Sequence, residues 1–230
     1  MPEFSIEWYR TIVDFAAGTP RWLQDVVDLG TSGVLFLFAI LGLIAIWLAR
    51  HGSAATLARA LLIPVAPTIA YLCSTVAKSA IQQERPCHAV LDRAATITTC
   101  PPMDSWSFPS NHSTIAAAAA VALALAWRKL TPVLVLLGLF AGFSRIFVGV
   151  HYPHDVAVGL ALGAAVAVLV YRFGTSPATR LVGWGRHRFL GTAEPGGTAE
   201  PSQESGLPTP RMPGDQARPV TGRSGRGRAE

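Results

Sequence analysis

GVLFLFAILGLIAIWLA, residues 33–49, contains no charged side chain and is closed by Arg50 and His51. About 20 mostly apolar residues cross the hydrocarbon of a bilayer as a helix, so this stretch reads as a spanning helix. Four further apolar segments follow. Residues 54–80 contain Pro64 and Pro67, which predict a kink. Residues 113–127 are mostly Ala, Val and Leu and are closed by Arg128 and Lys129. Residues 132–150 come next, then 156–171, closed by Arg172. The third and fifth segments are short and are expected to extend into their polar flanks. The whole chain is 50% hydrophobic and only 14% charged, against about a quarter charged in a soluble domain. These features predict an all-α integral membrane bundle of about five spanning helices.

Outside this core the composition changes. Residues 1–30 mix acids with Trp8, Tyr9, Phe15 and Trp22 and lack the basic start and clean apolar run of a signal peptide. They read as an interfacial amphipathic region of one or two helices. Residues 31–173 form the membrane domain. Residues 174–230 turn polar, with GTAEP at 191–195 and again at 197–201, and read as a disordered tail. If the segments alternate, Arg50, Arg128, Lys129, Arg172 and the Arg-rich tail share one side, which is expected to be cytoplasmic. The connections 86–109 and 146–154 then face outward together. The formal charge of +5 comes largely from these flanks, and no basic stripe interleaved with aromatics supports nucleic-acid binding. Cys73 sits in an apolar segment and reads as a small buried hydrophobe. Cys87 and Cys100 lie in the outward loop and are expected to pair on an oxidising face.

Three polar clusters sit at the outward ends of apolar segments: KSAIQQERP (78–86), SFPSNHS (107–113) and SRIFVGVHYPHD (144–155). Singly, each has an ordinary reading. Lys78 can snorkel to the interface, Ser110 and Asn111 can cap a helix, and Asp155 suits a first turn. His151 reads as structural when taken alone, and so do His88 and His154. Together, the convergence of three cations, two histidines and an acid on one membrane face points to phosphoryl transfer. Lys78, Arg85 and Arg145 suit a multiply charged phosphate. Ser110 and the amides of the helix led by Asn111 add donors. His151 can attack phosphorus while Asp155 holds its other ring N–H, and protonated His112 can serve the leaving oxygen. Opposite demands on two histidines predict a bell-shaped pH–rate profile. The cations would repel a divalent metal, and no HExxH or paired-cysteine ligand pattern appears, so no metal or cofactor is expected.

These clusters resemble the three-part signature of the type-2 phosphatidic acid phosphatase superfamily, which also includes vanadium haloperoxidases. The resemblance covers residues 78–155 by motif and about 1–173 by helix order. It implies phosphate binding by Lys78, Arg85, Ser110 and Arg145, acid catalysis by His112, and a nucleophilic His151 assisted by Asp155. The family's Pro-Ser-Gly-His reads Pro-Ser-Asn-His here, with Asn111 in place of glycine. Asparagine tolerates unusual backbone angles and caps helices. That substitution, with FSRIFVGVHYPHDV (143–156), resembles the bacterial undecaprenyl-diphosphatase branch linked to bacitracin resistance. The branch implies polyprenyl diphosphate hydrolysis on the outer face, recycling a carrier lipid for cell-wall synthesis.

Other readings remain open at this point. The lipid could be phosphatidate or phosphatidylglycerol phosphate, or the phosphoryl group could pass to an acceptor other than water. A non-enzymatic lipid transporter or binding protein is the contrasting class, but transport sites usually lie near the midplane. The known haloperoxidases are soluble, whereas this chain has spanning segments. The expected partners are a lipid phosphate or diphosphate and the bilayer, with no nucleic acid and no obligatory protein partner.

Overall fold

The computed structural model describes residues 3–90 and 96–190. The helices are α1 (Glu3–Ala17), α2 (Arg21–Ala49), α3 (Ala54–Ile81), the short α4 (Pro86–Ala89), α5 (Asn111–Ala126), α6 (Thr131–Phe147) and α7 (Pro153–Leu190), with a 3-10 turn at Arg128–Leu130 before α6. No strand occurs among the described residues. Four stretches are long and apolar enough to cross a membrane: Arg21–Ala49, Ala54–Ala89, Arg128–Phe147 and Pro153–Arg188. Asn111–Ala126 is a shorter apolar helix. Helices suit this setting because each backbone N–H and C=O must be satisfied away from water.

The outer faces of these helices expose Phe36, Leu43, Val76 and Leu136, side chains that lipid can cover. The interior packs Phe38, Ile63, Leu123 and Leu134 around a run of alanines on α5. Small residues let membrane helices approach closely, and the α5–α7 crossing depends on this. A Cβ at Gly163 would lie 2.1 Å from the Thr114 carbonyl oxygen, and one at Gly159 would lie 2.7 Å from that of Ser110.

Helix ends follow local chemistry. Ser53 caps α3 by accepting from the Thr56 amide at 3.1 Å, and α3 then runs unbroken through Pro64 and Pro67 to a left-handed Gln82. Ser110 caps α5. The chain order places the end of α3, the start of α5, the end of α6 and the start of α7 at one end of the bundle.

Two expected boundaries are corrected. The helix that carries the first span begins at Arg21 rather than near residue 33. Helix propagation is cooperative, and α2 carries Asp25 on an exposed face and Asp28 on a partly exposed one, so these acids do not break it. The amphipathic region is therefore α1 plus the first turns of α2. At the other end α7 continues past residue 173 to Leu190, so residues 174–190 are not disordered. Arg186 donates to the carbonyls of Gly52 at 2.7 Å and Arg50 at 3.0 Å, docking this extension on the α2–α3 turn. Residues 191–230, with both copies of GTAEP, lie outside the described residues.

Helix α1 is more than an interfacial float. Tyr9 and Val13 pack with Ile146, Tyr152 and Val156, and Ala16 packs with Phe147, Val148 and Val150. One face of α1 therefore covers the α6–α7 turn from behind, while Phe4, Trp8 and Phe15 point outward.

Candidate active site

The polar end of the bundle holds a pocket of about 560 Å³. Lys78 reaches it from the last turn of α3, Asn111 and His112 from the first turn of α5, Arg145 from the last turn of α6, and Arg85 and His151 from the adjoining loops. Six of the residues singled out in the sequence thus line one cavity.

His151 is 2% exposed. The Arg85 guanidinium lies 3.2 Å from its Nε2. Arginine can only donate, so Nε2 carries the lone pair and Nδ1 the proton. Nδ1 faces the Asp155 carboxylate at 3.4 Å and Ser107 Oγ at 3.4 Å. Burial, reinforced by the charges of Arg85 and Lys78 and only partly offset by Asp155, holds the imidazole down to about 3. His151 is therefore neutral at ordinary pH, with its lone pair toward the pocket.

Asp155 is fully buried. One of its oxygens accepts from the Tyr152 amide at 2.9 Å and from Ser107 Oγ. Its other oxygen accepts from Gln83 at 3.1 Å and faces His154 Nε2 at 3.1 Å. Its backbone carbonyl accepts from the Ser110 amide at 3.1 Å, joining the starts of α7 and α5.

Two of the three cations, Lys78 and Arg85, are held largely by backbone carbonyls of the 101–107 loop. Lys78 Nζ donates to Trp106 at 2.5 Å and Ser107 at 3.2 Å. Arg85 Nε donates to Ser105 at 2.6 Å, and its Nη1 donates to Val150 at 3.0 Å. Carbonyls orient these groups without neutralising them, so the pocket keeps a field that attracts anions. Asp28 of α2 lies close enough to Arg145 to interact with it electrostatically.

Two expected contributors sit differently. Ser110 is fully buried and does not line the pocket. Its Oγ accepts from the Ser113 amide and from Ser113 Oγ at 3.0 Å, so it shapes the α5 terminus that presents His112. The Asn111 side-chain oxygen accepts from Ser74 at 2.6 Å, tying α5 to α3. Cys87 and Cys100 are joined in a disulfide with Cα atoms 6.0 Å apart. Cys73, expected to be buried, is instead a free thiol on an exposed face of α3 among side chains that lipid can cover.

Sequence reasoning missed Ser105, Ser107, Gln83 and Asp28 as members of the site and left His154 as structural. Ser107 opened a quoted cluster, so it carried a signal. Gln83 and His154 also lay inside quoted clusters but read as ordinary there, and Ser105 and Asp28 are polar residues whose spacing announces nothing.

A helical membrane bundle with cations and histidines converging at one end defines a class of protein that handles anionic groups at the bilayer surface. The PAP2 superfamily profile matches residues 59–176, just over half of the 230-residue chain, and the chain belongs to that superfamily. Undecaprenyl-diphosphatase BcrC of Bacillus subtilis is 43% identical over 76 residues, covering 33% of this chain and 39% of that protein. Decaprenylphosphoryl-5-phosphoribose phosphatase of Mycobacterium tuberculosis is 37% identical over 106 residues, covering 46% of this chain and 56% of that protein. The chain thus spans from about two fifths to just over half the length of these curated relatives. The crystal structure of a transmembrane PAP2 type phosphatidylglycerolphosphate phosphatase from Bacillus subtilis shares the fold. Its TM-score is 0.56 at 24% identity, over 76% of this chain and 88% of that one.

Proposed function

We propose that this protein is a metal-independent lipid-phosphate phosphatase that hydrolyses a polyprenyl diphosphate, undecaprenyl diphosphate in the leading case, to the monophosphate. The observation that carries the reading is the single pocket shared by Lys78, Arg85, Arg145, His112 and His151. An apolar cleft of about 470 Å³ between α2, α3 and α5 adjoins it, with Tyr71 and Ile115 lining both. A phosphate in the pocket and a prenyl chain in the cleft fit this layout. Both curated relatives described above are named for polyprenyl-linked phosphates.

The chemistry follows from the groups present. Lys78, Arg85 and Arg145 bind the terminal phosphate. Arg85 leaves the His151 lone pair to engage it. His151 Nε2 forms a bond to phosphorus as the bridging P–O bond breaks, and Asp155 stabilises the proton on Nδ1. His112 gives its proton to the departing polyprenyl monophosphate. Water then attacks the phosphohistidine, His112 takes the proton, and inorganic phosphate leaves.

The unit that does this runs from α1 to α7. Arg50, Arg128 and Lys129 lie at the end opposite the pocket, which supports a cytoplasmic location for that end and an extracytoplasmic pocket. The disulfide beside the pocket agrees with an oxidising compartment. Carrier-lipid recycling for cell-wall synthesis is the role this placement suits. A polyprenyl-linked sugar phosphate is the second reading, favoured by the longer match to the mycobacterial relative.

Purified protein in detergent with EDTA is offered undecaprenyl diphosphate, a polyprenyl-linked sugar phosphate, phosphatidate and phosphatidylglycerol phosphate, with His151→Ala as control. Release mainly from the diphosphate, lost in the variant, is expected. Preference for another lipid replaces the substrate and keeps the mechanism. Silence on all four from folded protein sinks the reading.

A further inference from the structure

The face of Asp155 turned away from His151 is occupied by a second histidine. His154 Nε2 lies 3.1 Å from Asp155 Oδ1. Nε2 also lies 3.2 Å from Gln83 Oε1, which accepts its N–H. Beside two oxygens Nε2 carries the proton, which leaves a lone pair on Nδ1. Ser5 Oγ, on α1, lies 2.7 Å from that Nδ1. The same hydroxyl accepts from the His154 backbone amide at 3.4 Å, so its own proton goes to Nδ1. A directed chain results: Ser5 O–H to His154 Nδ1, His154 Nε2–H to Gln83 Oε1, Gln83 Nε2–H to Asp155 Oδ1, and His151 Nδ1–H to Asp155 Oδ2. It ends at the His151 lone pair that faces the pocket.

The arrangement is built rather than incidental. Ser5 and Asp155 are both fully buried. The His154 ring stacks on Tyr152, with centroids 5.4 Å apart and an 18° interplanar angle, and lies against Phe108 at 5.8 Å. Tyr9, one helical turn after Ser5, donates to the Gly149 carbonyl at 2.8 Å. Helix α1 thus grips the catalytic turn at two points.

We propose that His154, set by Ser5 of α1, is a positioning residue that fixes the rotation of the Asp155 carboxylate and through it the tautomer and aim of His151. This rests on the function proposed above. A carboxylate free to turn about its last torsion can lose its bond to His151. Gln83, which donates to Oδ1 and is itself held by His154, removes that freedom, with the His154 ring packed 3.1 Å from the same oxygen. Groups that orient a reacting side chain from behind typically contribute about 10–100-fold.

The test is steady-state phosphate release by the purified full chain, with the folding of each variant checked by thermal melting. His154→Phe keeps a stackable ring and loses both hydrogen bonds. Its kcat is expected to fall about tenfold or more with KM unchanged. His154→Gln places an N–H donor where Nε2 sits and is expected to recover most of that loss. Ser5→Ala should lower kcat more mildly, and its effect should vanish in the His154→Phe background, because Ser5 acts through His154. Wild-type kcat in His154→Phe overturns the proposal. So does a loss carried by KM alone, equal damage in Phe and Gln, or full additivity with Ser5→Ala. Should His154→Phe fail to fold, Ser5→Ala against Ser5→Thr decides on the same kcat criterion, since only threonine keeps the hydroxyl. Wild-type protein silent on every lipid overturns the proposed function and this inference with it, whereas active wild type with an indifferent His154 overturns this inference alone.

Discussion

His151 is pushed down to about 3 by burial and by neighbouring cations, while an unfolded histidine titrates near 6.5. Between those values the unfolded chain binds more protons at this position than the folded chain, so stability falls as pH drops from about 6.5 toward 3. Melting of the detergent-solubilised protein across that range is expected to show this slope, to which the lowered His112 adds with the same sign, and His151→Gln should reduce it by the share of one group. The same depression means His151 does not limit activity near neutral pH. Burial and the charges of Arg145, Arg85 and Lys78 hold His112 down to about 4, and the negative charge of a bound phosphate opposes those cations and raises it. The alkaline fall of kcat should therefore follow loss of the His112 proton in the substrate complex, and His112→Gln should remove that limb along with most turnover. Arg85 bonds at once to Ser105, Val150 and His151, a fork that lysine cannot reproduce. Arg85→Lys is expected to lower kcat/KM by roughly 10- to 100-fold, matching a lost charged hydrogen bond of about 1.5–3 kcal/mol. Legibility at this scale followed chemistry. Lys78, Arg85, His112, Arg145 and His151 could be picked out because cations and histidines are rare beside apolar runs. Ser5 and Gln83 could not, because their meaning depends on partners 149 and 71 residues away.

Among the elements, α5 and α7 show how sequence and packing divide the information. Alternating apolar segments and basic flanks were enough to place both helices. The closeness of their crossing was not legible, because a glycine in an apolar run looks the same whether it faces lipid or a neighbour's backbone. Gly163→Val must displace the Thr114 carbonyl, and overpacking of this kind costs about 1–3 kcal/mol. A lower melting temperature with an unchanged KM is the expected result. The ends of α2 and α7 were misjudged for a related reason: hydropathy stops where the membrane stops, but a hydrogen-bonded helix need not. The Cys87–Cys100 bond closes a loop with a sequence separation of 13, and the connection beyond it carries the carbonyls that hold Lys78 and Arg85. Reduction should destabilise the fold by about 3 kcal/mol. Melting with and without a reductant measures that directly.

On the scale of the whole molecule, the sidedness proposed from the basic flanks predicts that a cysteine placed at Asp104, in a Cys73→Ala background, reacts with an impermeant thiol reagent added outside intact cells. One placed at Lys129 should react only after permeabilisation. The reverse pattern would invert the topology. Tyr71 and Ile115 form a wall common to the apolar cleft and the phosphate pocket, so on the proposed reading the ligand keeps its tail in lipid while its head reacts. Encounter then happens by lateral diffusion in two dimensions. Turnover should track the mole fraction of substrate in the micelle or membrane and stay constant when detergent and substrate are diluted together. For this protein, the concentration that matters is one per area.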